Sequence, residues 1–164
     1  MKKVLVFALV LTVTAAGLAV AGSGEGTKTM NNSGDKVQVS ATPSQLSAPA
    51  GERVSFKVNF TVEPKWHLYA HEDSMFIGID LVPADGFPLT DVKIVYPAGH
   101  EGEFFGEMVV ILEGSDVVTA SGTVPEDLAS GEYALDLALT VQACDDKICL
   151  APAYLPVAVV LTVP

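Results

Sequence analysis

Cys144 and Cys149 are the only cysteines in the chain, and four residues separate them in the stretch TVQACDDKICLAPAY. Thiols so spaced can form a structural disulfide, contribute to a metal site, or work as a redox couple in which a thiolate attacks a disulfide sulfur. As a staple the pair closes a loop of about six residues, which on the chain-entropy model stabilises a fold by only about 2 kcal/mol. As a couple it is better placed: Cys144 ends a long strand pattern that would hold it rigidly, while the turn DDKI presents Cys149. The neighbouring charges pull both ways, since Asp145 and Asp146 oppose a thiolate at Cys144 and Lys147 favours one. Nor is this a C-x-x-C at a helix start, so the residues suit a substrate-like couple rather than a strong catalyst. Residue chemistry alone leaves staple and couple both open.

Metal binding is a third reading. His67, His71, His100 and Met75, with the two thiols, are soft and borderline ligands. His67 and His71, however, lie four apart in a strand-like segment, about 13 Å along it, too far to share one ion. A zinc site would also need a second cysteine or histidine cluster. The histidines are therefore expected to be surface residues, and neither a metal nor an organic cofactor is expected.

The elements that must position the cysteines follow from the rest of the chain. Residues 1–21, MKKVLVFALVLTVTAAGLAVA, have two lysines, an apolar run and a small-residue end, the layout of a cleaved secretory signal peptide. Export into an oxidising compartment would let the cysteines bond. No second apolar run of that length follows, so no stable membrane span is expected after cleavage. Losing Lys2 and Lys3 would move the formal charge from −11 to −13. Such acidity disfavours nucleic acid and anionic membrane surfaces as partners. Residues 22–35, GSGEGTKTMNNSGD, read as a flexible tether, with the folded domain spanning 36–164.

Within that domain the period is two. Val54, Phe56, Val58, Phe60 and Val62 alternate with polar residues, Tyr133, Leu135, Leu137, Leu139 and Val141 with small or polar ones, and Leu155, Val157, Val159, Leu161 and Val163 hold every odd position of a third strand. Shorter strands are expected at 36–42, 66–71, 76–82, 91–95, 107–113 and 116–123. Turn signals separate them at Pro83–Gly86, Pro97–Gly102, Glu113–Ser115 and Pro125–Gly131. No helical periodicity is evident. The expected architecture is all-β, an immunoglobulin-like antiparallel β-sandwich, without the long-range cysteine spacing of true immunoglobulin domains.

Three stretches, in order, resemble the N-terminal periplasmic domain of DsbD, the membrane thiol-disulfide interchange reductase: WHLYAHED, EGEFFGE and CDDKICLAP. The likeness spans roughly residues 36–164. It implies that Cys149 forms mixed disulfides, that Cys144 resolves them, and that Phe104 and Phe105, between Gly102 and Gly106 with Glu103 beside them, cap the pair. A single phenylalanine there is equally suited to core packing. Tyr69 falls where the family has a tyrosine beside the cysteines, and His67 where another aromatic residue usually sits. A histidine there, with an ordinary pKa near 6.5, suits hydrogen bonding or protonation of a leaving thiolate. The chain departs from the family in carrying Gly102 for an aspartate, Ala151 and Pro152 for paired prolines, and a cysteine loop one residue shorter.

The resemblance implies a relay that takes electrons from a thioredoxin-like domain or a membrane reductase and passes them to exported disulfide-containing proteins. With the chain ending at Pro164, that reductant is expected to reside on another polypeptide. The competing expectation is a non-catalytic protein-binding sandwich with a structural disulfide.

Overall fold

The computed structural model describes residues 31–72, 75–104 and 106–164. The signal peptide and most of the tether lie outside the described residues. Alternation of apolar and polar side chains yields eleven strands among the described residues. In chain order they are β1 (Val37–Thr42), β2 (Gln45–Ser47), β3 (Arg53–Val62), β4 (Leu68–Tyr69), β5 (Asp80–Pro83) and β6 (Thr90–Val95). They continue with β7 (His100–Phe104), β8 (Glu107–Leu112), β9 (Ser115–Thr123), β10 (Gly131–Val141) and β11 (Ala153–Val163). No α-helix occurs among the described residues, and none of their helices is long and apolar enough to cross a membrane.

Two four-stranded sheets, in the orders β1-β3-β9-β6 and β2-β11-β10-β5, form the sandwich. Every pairing is antiparallel except the short β11–β2 contact, where Leu161 lies beside Leu46. The period-two pattern places Val54, Phe56, Val58, Phe60 and Val62 of β3 in one core with Leu135, Leu137, Leu139 and Val141 of β10 and Val157, Val159, Leu161 and Val163 of β11. Burying each such side chain contributes about 2 kcal/mol relative to leaving it in water. This is the immunoglobulin-like sandwich expected from the sequence.

Several local expectations need correcting. The strand expected at 66–71 is reduced to β4 with a single bridge at His67, and that expected at 76–82 begins only at Asp80. β2 arises where no element was expected, and β7 overlaps the turn expected at Pro97–Gly102. The end of the expected tether is folded: Ser33–Lys36 forms a 3-10 turn closed by an Asn32/Asp35 capping box. Ser33 is fully buried there because its hydroxyl donates to the Ala151 carbonyl at 2.7 Å and accepts from the Ala143 amide at 2.9 Å.

β4, β8 and β7 make a third, three-stranded sheet in that order. β4 belongs to both layers by parity. Leu68 enters the main core, while Tyr69 turns to a second, smaller core. The same alternation assigns Ala143 to the first core and Cys144 to the second.

Candidate functional site

Beyond the end of β10 the chain makes a tight hairpin from Ala143 to Leu150. The Leu150 amide donates to the Ala143 carbonyl and the Asp145 amide to the Ile148 carbonyl, both at 2.9 Å. Cys144 and Cys149 therefore face each other as an antiparallel pair that shares no backbone hydrogen bond, with Cα atoms 4.0 Å apart. Such pairs bring side chains closest together, and here the two sulfurs are bonded. Ser33 clamps the base of this hairpin by bonding one residue on each arm, Ala143 and Ala151.

The two sulfurs have unlike surroundings. Cys144 is fully buried, packed with Tyr69, Phe104 and Val109 and flanked by Phe76 and Ile111. Cys149 is an exposed residue on the returning arm, just after the turn.

On its other side Cys144 pairs with His67, and the two exchange both backbone hydrogen bonds, at 2.9 and 3.0 Å. Residues directly opposite in a ladder point to the same face, so the His67 imidazole and the two sulfurs stand in one row across three chain segments. Two residues along, Tyr69 is on the same face, with its hydroxyl 3.3 Å from His67 Nε2. Phe104 meets both rings edge-on, with centroids 5.4 Å from His67 and 6.0 Å from Tyr69. Phe76 stacks on Tyr69 at 4.3 Å and meets Phe104 edge-on at 5.3 Å.

Burial is the largest influence on His67, which is only 8% exposed, and it pushes the imidazole below its usual pKa of 6.5. Glu113, Asp146 and Asp145 pull the other way and offset the shift only in part. The histidine at this position is thus held neutral near pH 7. Its burial departs from the expectation that the histidines are surface residues.

The remaining expected site residues divide. Phe104 is on β7 and only 5% exposed, a strand residue turned inward against Cys144. Glu103 is exposed on the same strand opposite Met108, and by parity its side chain points away from the cystine. Gly106 turns the chain between β7 and β8 at a φ of 84°, where space around it is open and the backbone conformation alone favours glycine. Phe105 lies outside the described residues. Of the other histidines, His71 stacks on Tyr96 with centroids 3.7 Å apart, and His100 Nε2 is 3.4 Å from Glu113 Oε2. Among the described residues no three His, Cys, Asp or Glu side chains converge as a metal site. Sequence reasoning missed Phe76, Val109, Ile111 and Ser33.

It also missed how the hairpin is held. Asp145 Oδ1 accepts from the amides of Lys147 and Ile148, both at 2.8 Å. These two bonds, that to Ile148 first, hold the Asp145 carboxyl below its ordinary value of 3.8. A carboxyl with a depressed folded pKa contributes order that is present above its unfolded value and lost as the pH falls through the folded one. The Lys147 and Ile148 amide resonances are therefore expected to titrate with a midpoint below 3.8, and both amides should exchange faster in Asp145→Ala. A midpoint at or above 3.8 would show that the clamp does not form.

Beside the cystine, Lys65, His67, Glu113, Asp145, Asp146 and Lys147 line a cleft of about 520 Å³.

The fold and the site together define an all-β sandwich with a short-loop cystine, one cysteine of which is buried among aromatic rings while the other is an exposed residue. The chain belongs to the family described as the N-terminal domain of the thiol:disulfide interchange protein DsbD, whose model matches residues 35–160. Among solved structures it is similar to the N-terminal periplasmic domain of ScsB from Proteus mirabilis, with 14% identity and a TM-score of 0.56. That match covers 78% of this chain and 47% of the other, so the chain spans about half the length of its structural relative. A family 123 glycoside hydrolase from Clostridium perfringens matches at 8% identity and a TM-score of 0.44, over 78% of this chain and 28% of the other. The major pilin subunit of Bacillus cereus matches at 10% identity and a TM-score of 0.40, over 77% and 40%. No curated protein sequence matches the chain.

Proposed function

We propose that this chain is an exported relay in which Cys149 exchanges with partner sulfurs and Cys144 resolves the product. The observation that carries the reading is the unequal burial of the two bonded cysteines, with Cys149 exposed just after the hairpin turn and Cys144 fully buried. A bimolecular attack reaches the exposed sulfur, and the enclosed one is left for the intramolecular step.

In the reducing half, a thiolate of a partner dithiol attacks Cys149 Sγ and the Cys144–Cys149 bond breaks. Its electron pair leaves on Cys144, which takes up a proton. The partner's second thiolate then attacks the partner sulfur of the mixed disulfide, releasing reduced Cys149 and an oxidised partner. In the delivering half, the Cys149 thiolate attacks a client disulfide, and Cys144 displaces the client sulfur by re-forming the cystine. A thioredoxin-like domain or a membrane reductase fits the first role. Exported proteins with reducible disulfides fit the second. Membership of the DsbD N-terminal family supports both assignments.

The test is the reduction potential of the Cys144–Cys149 bond, measured by equilibration with a dithiol buffer. The relay requires a value in the range of exchange proteins, about −120 to −270 mV. A value well below about −300 mV would instead mark a permanent staple in a binding module.

A further inference from the structure

We propose that His67 accepts the Cys144 proton in the step that resolves the Cys149 mixed disulfide, an inference that rests on the exchange reading above. Its basis is the ladder position of the ring. His67 is directly opposite Cys144 in a pair that exchanges both backbone hydrogen bonds, so imidazole and sulfur share one face of the sheet.

The chemistry of that face makes a proton acceptor necessary. The Cys144 sulfur is enclosed by Tyr69, Phe104 and Val109, surroundings that favour the thiol over the nucleophilic thiolate. To attack, the thiol must lose its proton inside the enclosure. The titratable and charged groups around His67 can be taken element by element. Tyr69 is on its own strand and Lys65 in the turn before it. Glu113 follows β8, and Asp145, Asp146 and Lys147 belong to the cysteine hairpin. From β7 the ring of Phe104 faces it. Tyr69 is a poor base at neutral pH, and the carboxylates line the cleft. His67 both lines the cleft and is the ladder partner of Cys144, and burial favours its neutral, proton-accepting form.

The step balances as follows. In the tautomer that carries its proton on Nε2 and donates it to the Tyr69 oxygen, Nδ1 keeps its lone pair and takes the proton of the Cys144 thiol. The Cys144 sulfur forms a bond to Cys149 Sγ, and the bond from Cys149 to the client sulfur breaks. The client sulfur leaves with the electron pair and is protonated by water. The client disulfide has then gained two electrons, the two cysteines have lost them, and the imidazolium returns its proton to water through the cleft. Glu113, Asp145 and Asp146 stabilise that transient cation.

The reduced full chain, mixed with a chromogenic aromatic disulfide, releases one thiol when Cys149 attacks and a second when Cys144 resolves. In the wild type the second phase should reach a plateau above a midpoint lying below about 6.5. Without an internal base it should instead climb about tenfold per pH unit toward the free thiol value near 8.5. His67→Phe keeps an aromatic ring against Phe104, and His67→Gln keeps a polar partner for Tyr69. Both should retain the first phase, slow the second about 100-fold at neutral pH and lose the plateau. A wild-type second phase without a plateau overturns the proposal even if neither variant folds, and so do variants whose second phase matches the wild type. A wild-type chain that lacks the first phase overturns the exchange reading itself, a failure distinguishable from that of His67.

Discussion

Cys144→Ala is expected to accumulate covalent adducts through Cys149, whereas Cys149→Ala is expected to accumulate almost none. The two variants are chemically equivalent in sequence, since each leaves one thiol and no internal partner. Only the surroundings differ. In the first variant the remaining thiol belongs to an exposed residue beside Ile148, itself 52% exposed, and nothing remains to resolve an adduct once formed. In the second the remaining cysteine is packed among Tyr69, Phe104 and Val109, an apolar enclosure that disfavours the charged thiolate as well as blocking approach. The two effects compound, because exchange needs both the thiolate and access to it. Adduct formation with an aromatic disulfide, followed by mass, should therefore be at least about 100-fold faster for Cys144→Ala. Equal rates would show that burial does not distinguish the sulfurs and would remove the division of labour between them. An adduct formed preferentially on Cys144 would reverse it.

The parts of the molecule legible in the sequence are those where one strand buries one face against one core. β3 reads correctly because every second residue from Val54 to Val62 enters the same layer, and β10 and β11 read correctly for the same reason. β7 does not, since of His100, Glu101, Gly102, Glu103 and Phe104 only the last is buried. A strand that supplies a single side chain to a core has no period to detect, and its glutamates and glycine look like a loop. β2 fails similarly, as three residues beside distant β11 carry no local signature of a parallel pairing.

At the site, the cysteines and Tyr69 were recognisable by type and order, but the His67–Cys144 ladder contact joins segments far apart in sequence. Its consequence, a neutral buried imidazole, depends on burial that no spacing encodes. Ser33 reads as tether because GSGEGTKTMNNSGD is rich in Gly, Ser and Asn and offers almost nothing apolar to bury. The Asn32 to Asp35 spacing was its one readable sign, a capping box whose value becomes evident only when Ala143 and Ala151 meet the serine hydroxyl. Phe76 had no sign at all, since its stacking on Tyr69 comes from the path of an irregular segment.

Phe104 decides whether the aromatic ring over the buried sulfur acts as core, as cover, or as both. The residue is 5% exposed and meets His67, Tyr69 and Phe76 edge-on, contacts that fix it as firmly as an interior phenylalanine. Phe104→Ala should accordingly cost about 3 kcal/mol of stability, the lower end for deleting a buried phenylalanine at a site that can partly collapse. For a domain of this size that corresponds to a fall of roughly 10 °C in Tm. A ring that also encloses the sulfur must produce a second effect that stability does not report. In a Cys149→Ala background at a temperature where both chains are fully folded, Phe104→Ala should raise the alkylation rate of Cys144 by at least about tenfold by opening a path through the vacated volume. A pure cover would give the rate change with little loss of Tm. A pure core residue would give the Tm loss with Cys144 as slow as before. The three edge-on contacts and the packing against Cys144 call for both changes together, because the same ring that seals the second core also forms one wall of the sulfur's enclosure.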